Sequence, residues 1–422
     1  MVIEMQEQGR KYRFKAKVFL FFVMVCVIFL VGEISIRIYA QQTNTVIGSS
    51  AMEIQVKTRY QKFTNLSDSF RFEFDKPFYM YDPLLGITNR PNISFAEENV
   101  VPFNQTHNAI IVDELVSINS AGLRSLHETN KTKAQDTTRI AIVGDSMTFG
   151  DEVKTSFAYS SLLEVMIPKS NVLNFGRNGA GLAYMYLIFK NRTIEYDPDV
   201  LIMSLFIDDI ARVQKLAFEP FLILVHNKLV VEGTPIPTPE QFLQEYEPPM
   251  VESYLVKFLL YTWSLMGSRE RAYAHGFLVL DKMLGEMKQQ MKNKTFLVTL
   301  ITDKDFSPNN IEYDKYQKLK QMLQEKSIPF VDGEEIFNEE SIKYGSKRVF
   351  YNNVHLSPLG NAVFAQAIKE KLSDMKIINK TKPYAAFVVS QKQRHMFFLN
   401  ESYLPEKKLR SYTISGYYQK TK

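Results

Sequence analysis

The stretch Arg139-Ile140-Ala141-Ile142-Val143-Gly144-Asp145-Ser146-Met147-Thr148-Phe149-Gly150 joins a short apolar run to a tight polar turn. An apolar segment this short, bounded by glycine, reads as a buried strand of a parallel sheet rather than a core helix. A serine in the turn after such a strand stands just past its carboxyl end, where open α/β sheets place their chemistry. Backbone N–H groups of the following turn can there stabilise negative charge on a reacting oxygen. On the tripeptide alone an ordinary strand-to-loop turn with a surface serine is the better reading, so the rest of the chain has to decide.

Downstream, the chain alternates strand and helix in the βα manner. Strands are predicted at Ile140–Val143, Asn171–Phe175, Val200–Leu205, Thr295–Ile301 and Pro329–Val331. Helices are predicted at Tyr159–Met166, Leu182–Lys190, Phe277–Lys292, Tyr313–Lys326 and Pro358–Asp374, the last with Ser357 as its N-cap and proline in its first turn. The pattern predicts an α/β domain over 138–375, three-layer α/β/α and flavodoxin-like with a parallel sheet. An insertion, 213–275, interrupts it: a hairpin around His226-Asn227, a proline-rich loop, and an amphipathic helix at Val251–Met266.

Upstream, Val18 to Val31 is an unbroken apolar run behind Arg10, Lys11, Arg13, Lys15 and Lys17. Extended to Tyr39 it reaches about 30 Å as a helix, enough to cross a bilayer. The basic flank, 1–17, keeps the N-terminus cytoplasmic and sends the remainder outward. A signal-anchor helix at 18–39 is favoured over a cleaved signal peptide, because Ile38 fits a cleavage site at Ala40 poorly. Residues 40–77 read as a polar stalk with one helix at Ala51–Phe63, residues 78–137 as a small β-rich lead-in module and linker, and 376–422 as an unassigned tail.

Over 422 residues the net charge is +5, and no basic stripe with interleaved aromatics suggests nucleic-acid binding. The one cysteine, Cys26, rules out an intrachain disulfide and a thiolate metal site. No Gly-rich Lys-Ser/Thr loop holds a nucleotide, and neither cofactor nor metal is expected.

Three more blocks fall at strand ends or helix entrances: Asn174-Phe175-Gly176-Arg177-Asn178-Gly179, Phe206-Ile207-Asp208-Asp209 and Asn352-Asn353-Val354-His355. Together with Gly144-Asp145-Ser146 they resemble the blocks of the SGNH/GDSL hydrolase family. Asp82-Pro83-Leu84-Leu85-Gly86 and the Ser117–Arg124 stretch are similar to the lead-in of its membrane-anchored bacterial members, so the resemblance covers about residues 78–374. It implies acyl transfer, with Ser146 as nucleophile and His355 as general base. The N–H groups of Ser146 and Gly179 would line the oxyanion site, Asp208 standing where the family has an asparagine donor. Asn352 stands where the family has the acid that orients the histidine. In serine proteases loss of that acid lowers turnover by about 10⁴, so a Ser–His dyad is expected, with Asn352 and Asp209 as orienting candidates and Asp208 able to supply the missing charge. The other five of the six histidines, His107, His127, His226, His275 and His395, lack this context.

The expected protein is thus a membrane-anchored, single-pass serine esterase or O-acyltransferase outside the cytoplasm, periplasmic or extracellular. Acylated surface carbohydrate is its substrate by resemblance to the anchored relatives. The alternative is a catalytically degraded member of the same fold that binds glycan or scaffolds an envelope assembly.

Overall fold

The structure, a computed structural model, describes residues 2–43, 79–96, 99–102, 114–213, 219–238, 241, 253–265, 268–379, 387–389 and 396–398. The helix expected at 51–63 and most of the tail lie outside these residues. Two compact units are present. One comprises 1–73, 215–218 and 237–271, the other 74–214, 219–236 and 272–422.

The first unit contains α1 (Val2–Thr43) and α5 (Tyr254–Leu265). Lys17–Gln42, 26 residues near the N-terminus, is long and apolar enough to cross a membrane. Most of its large apolar side chains, from Val18 to Val31, are exposed.

The second unit opens with small antiparallel sheets. β1 (Tyr79–Asp82) pairs with β2 (Gly86–Asn89), and β3 (Ile93–Ala96) pairs with both β4 (Asn99–Pro102) and β5 (Glu114–Ile118). Asp82 folds the first turn by accepting from the N–H groups of Leu84 and Leu85, both at 2.9 Å. Asn119 does the same for Ala121 (3.0 Å) and Leu123 (3.1 Å), and Gly122 takes φ +76°, a value that favours glycine.

The main sheet consists of β6 (Thr138–Val143), β7 (Ser170–Asn174), β8 (Val200–Phe206), β11 (Thr295–Ile301) and β12 (Phe330–Asp332), all parallel. Their order is β12-β11-β8-β6-β7. This is the flavodoxin-like order, whose switch point lies between β6 and β8. Side chains alternate across it. Ala141, Val143, Met203 and Val298 enter a core with α4 (Leu182–Asn191), α6 (Ser268–Gln290, from Ala272 onward in this unit) and α7 (Tyr313–Glu325). Ile140, Ile142, Ile202 and Leu297 face α3 (Tyr159–Met166), α8 (Gly333–Tyr344) and α10 (Pro358–Asp374). Both faces are covered, giving a three-layer α/β/α architecture.

The hairpin of the insertion is β9 (Phe221–Val225) with β10 (Lys228–Glu232), turning at His226 (φ +49°) and Asn227 (φ +63°). Positive φ at both turn residues matches the twist of the flanking strands. The insertion's second part, 237–271, falls in the unit of α1. Helix α8 and the short α9 (Ser346–Val349) were not expected from the sequence.

Candidate active site

At the end of β6 the chain turns through Gly144, where a Cβ would lie 2.1 Å from Thr148 Oγ1 and 3.0 Å from the Ser204 carbonyl oxygen. Only glycine allows so tight an exit. Asp145 then caps a single helical turn, α2 (Ser146–Phe149), by accepting from the Met147 N–H at 2.9 Å. Gly150, at φ +81°, closes the turn. Gly176 of the second block packs against its back: a Cβ there would lie 2.4 Å from the Phe149 nitrogen. Ser146 is thereby fixed on a rigid corner beside the switch point.

His355 arrives from the entrance of α10. The Ser357 hydroxyl caps that helix, accepting from the Gly360 N–H at 3.1 Å. Asn352 Oδ1 accepts from the N–H groups of Val354 (2.8 Å) and His355 (2.7 Å), winding the approach into a compact turn. The outcome is a contact of 3.1 Å between His355 Nε2 and Ser146 Oγ, across 209 sequence positions.

The carboxylate beside the imidazole belongs to a residue that sequence reasoning missed. Glu152 Oε1 lies 3.4 Å from His355 Nδ1. Asn352 Nδ2 donates to both Glu152 oxygens at 2.9 Å and sits 3.3 Å from Nδ1. A carboxylate facing Nδ1 favours the tautomer protonated there, which leaves Nε2 free to accept the serine proton. Glu152 has φ +66° and follows the serine turn directly. The one sequence signal was Gly150-Asp151-Glu152, acids in the same loop as Ser146.

Arg124, from the lead-in module, holds that loop. Its guanidinium donates to the carbonyls of Phe149 (2.8 Å), Gly150 (2.5 Å) and Val153 (2.6 Å) and to Thr155 Oγ1 (3.2 Å), and stacks 4.5 Å above the Phe149 ring. Burial by itself would lower the His355 pKa. The hydrogen bond to Glu152 and the charges of Asp151, Glu152 and Asp145 outweigh it, so the pKa is raised.

The remaining expected residues have their own surroundings. Asp208 Oδ1 accepts from the Tyr273 hydroxyl at 2.9 Å. Asp209 is fully buried, and its oxygens accept from the Phe206 N–H (2.9 Å) and from Arg212 (2.7 Å). The same guanidinium lies 3.5 Å from Asp145 Oδ2. Burial raises the pKa of both carboxyl groups. Asp209 stands well above the ordinary range, with the nearby charge of Asp145 adding to the effect. Gly179 takes φ +70° and a Cβ there would meet nothing within 4 Å, so its backbone borders open space. Its neighbour Asn178 donates to Asp151, tying the glycine block to the Glu152 loop. Among the other histidines, His127 Nε2 lies 2.5 Å from Glu164 and His275 Nε2 3.2 Å from the Leu222 carbonyl oxygen. Among the described residues no group of three or more His, Cys, Asp or Glu could hold a metal ion.

No family model matches the sequence, and no curated protein matches it. Solved structures do. A member of the lipolytic G-D-S-L family from Veillonella parvula DSM 2008 matches with a TM-score of 0.34 and 16% identity, over 56% of this chain and 97% of that one. An acetylxylan esterase from Geobacillus stearothermophilus gives 0.35 and 15%, over 57% and 96%. A lipolytic protein of the G-D-S-L family from Desulfitobacterium hafniense DCB-2 gives 0.34 and 12%, over 56% and 100%. With a Gly-Asp-Ser turn at the switch point of a flavodoxin-order sheet, and a histidine from the last helix's entrance beside it, the unit is a three-layer α/β/α domain that brings a serine and a histidine together past the carboxyl ends of its strands.

Proposed function

We propose that this chain is a serine esterase or O-acyltransferase, anchored by α1 with its α/β domain outside the cytoplasm. The observation that carries the reading is the 3.1 Å contact between Ser146 Oγ and His355 Nε2, within the range expected of a nucleophile and its general base. Ser146 Oγ attacks the ester carbonyl carbon as its proton passes to Nε2. The N–H groups of Ser146 and Gly179 receive the oxyanion, and the tetrahedral intermediate collapses with the proton returned to the departing alcohol. Water or a sugar hydroxyl then takes the acyl group from Ser146, losing its own proton to His355, which passes it to Ser146 Oγ as that oxygen departs.

Glu152 takes the place of the absent acid at 352. Its charge stabilises the imidazolium formed in each half-reaction, and Asn352 holds it against the ring. The dyad expected from the sequence becomes a triad, with the acid on the nucleophile's own loop. Acylated carbohydrate is the substrate class we assign, on the resemblance to anchored bacterial members and the outward orientation set by the basic N-terminus. The glycan-binding or scaffolding alternative drew its support from Asn352 and Asp208, and a carboxylate at the imidazole weakens that support.

The test uses the full-length protein in detergent, a fluorophosphonate probe and p-nitrophenyl acetate. Labelling that maps to Ser146, with turnover lost in Ser146→Ala, is expected. Unchanged turnover in Ser146→Ala overturns the assignment, and glycan binding without labelling selects the scaffold.

A further inference from the structure

The glycine block closes on itself as a four-residue turn, because the Ala180 N–H donates to the Arg177 carbonyl oxygen at 3.1 Å. Of its two central residues only Gly179 has positive φ, +70°, which makes the turn type II. Types I and II differ chiefly in which way the central peptide faces, and glycine at the second central position is free to adopt either. The peptide in question joins Asn178 to Gly179. Its N–H is the one that the proposed mechanism asks to receive the oxyanion.

Arg177 decides the facing. Its guanidinium folds back over the turn and Nη1 donates to the Asn178 carbonyl oxygen at 3.2 Å. The peptide is trans, so its C=O and N–H point to opposite sides of one plane. With the oxygen drawn to the guanidinium, the Gly179 N–H is turned away from it, on the exposed side of the turn. A hydrogen bond to the carbonyl also polarises the peptide and makes that N–H a stronger donor. The turn is tied to the nucleophile as well: the Arg177 N–H donates to the Gly144 carbonyl oxygen at 3.2 Å, and the Asn178 amide to Asp151. The guanidinium itself is buried, 2% exposed, and its charge is offset by Glu219, 3.1 Å from Nη2, and by the Tyr184 ring of α4, 4.6 Å away.

We propose that Arg177 is a positioning residue of the oxyanion site, holding the 177–180 turn in the form that presents the Gly179 N–H to the reacting oxygen. This rests on the reading of the chain as a serine esterase or acyltransferase with Gly179 as an oxyanion donor. Without the guanidinium the central peptide is free to flip toward the type I form, which replaces the N–H at the site with a carbonyl oxygen. A purely structural Arg177 would instead serve through its ion pair with Glu219.

Two substitutions separate the two contacts. Arg177→Lys keeps a cation for Glu219 but lacks the planar fork that reaches both partners, and a carboxylate outcompetes a neutral carbonyl for the ammonium. Glu219→Gln removes the ion pair and leaves the fork facing the Asn178 carbonyl oxygen. Full-length protein in detergent is assayed with p-nitrophenyl acetate and titrated with phenylboronic acid. Boron takes the Ser146 oxygen while the serine proton passes to His355, giving a tetrahedral anion that reports complementarity to the transition state. Arg177→Lys is expected to lower kcat by about 10²-fold with KM nearly unchanged, and to weaken phenylboronate binding by the same factor. Glu219→Gln should keep both near the wild-type values even where its melting temperature falls. Wild-type kcat and boronate affinity in Arg177→Lys overturn the proposal, as do equal losses in Glu219→Gln. A structural role alone predicts losses that follow the melting temperature in both variants. If the wild-type protein shows no ester turnover, no boronate binding and no fluorophosphonate label on Ser146, the esterase reading itself falls and takes this inference with it.

Discussion

Glu152 and Asn352 meet across 200 sequence positions, the Asn352 amide nitrogen lying 2.9 Å from each Glu152 oxygen. The amide stands at the position where the proposed function would call for an orienting acid, and it holds a carboxylate that reaches the same imidazole from another loop. Removing Glu152 and restoring an acid at 352 should therefore compensate. Glu152→Gln is expected to lower kcat by about 10²–10⁴. Asn352→Asp alone sets two carboxylates against each other, whereas the double variant Glu152→Gln/Asn352→Asp should recover much of the loss. Steady-state kinetics of the three variants, with folding checked by circular dichroism, test this. A double variant no better than Glu152→Gln argues against the relocated acid.

The same contact sets the pH profile. His355 must be neutral to accept the serine proton, and its pKa is raised above the ordinary 6.5 despite the opposing effect of burial. The acidic limb of kcat/KM should fall above 6.5, with activity rising as pH increases through it. Glu152→Gln should move that limb downward. A limb unmoved by Glu152→Gln would mean that the carboxylate does not act on the ring.

Arg124 is a positioning residue, because its guanidinium acts on the loop that bears Ser146 and Glu152. Arg124→Lys keeps the charge but loses the planar fork that reaches three carbonyls at once. Each buried carbonyl left without a donor costs about 1–3 kcal/mol, so the melting temperature should fall measurably. A purely structural role predicts that the acidic limb of the pH profile stays fixed. Displacement of Glu152 predicts that the limb shifts downward as well.

Two glycines at the site separate steric from conformational demand. Ala at 144 places a methyl group 2.1 Å from Thr148 Oγ1 and should cost about 3 kcal/mol or more. Ala at 179 meets no neighbour within 4 Å but must hold φ +70°, for about 1–2 kcal/mol. Chemical denaturation should rank Gly144→Ala as clearly the more damaging.

His127 gives a control away from the chemistry. Its hydrogen bond to Glu164 raises its pKa to about 9, from 6.5. A raised pKa in the folded state stabilises below the unfolded value, so this contribution is complete below 6.5 and is lost as pH rises through about 9. The pair is partly exposed, which limits the effect to about 1 kcal/mol or less. His127→Gln should flatten that part of the stability profile without altering ester turnover.

Strands β6, β8 and β11 were readable because strands buried on both faces show as unbroken apolar runs. The β9–β10 turn was readable because His226-Asn227 stood between two such runs. Helix α8 escaped notice because it buries little beyond Gly333 and Phe337, leaving no clear period. Helix α6 begins at Ser268 rather than Phe277, its first turns being too polar to mark a start. At the site, Ser146 and His355 followed from their blocks. Glu152 did not, because no spacing rule says which loop acid turns back across an opening. Its direction depends on a φ of +66° and on Arg124, both consequences of tertiary packing. Nor did the sequence show that the Asp208 carboxylate accepts from the Tyr273 hydroxyl, 65 positions away.

The Arg124 clamp also bears on where this protein can be divided. A fragment starting at residue 138 would keep every strand of the parallel sheet, together with the serine, the histidine and Glu152. It would lose the guanidinium that gathers the carbonyls of 149, 150 and 153, and the Asn89 amide that donates to the Gly176 carbonyl oxygen at 3.0 Å. Such a fragment would keep the reactive groups without the brace that aligns them, so the shortest active version of this protein should begin upstream of β1.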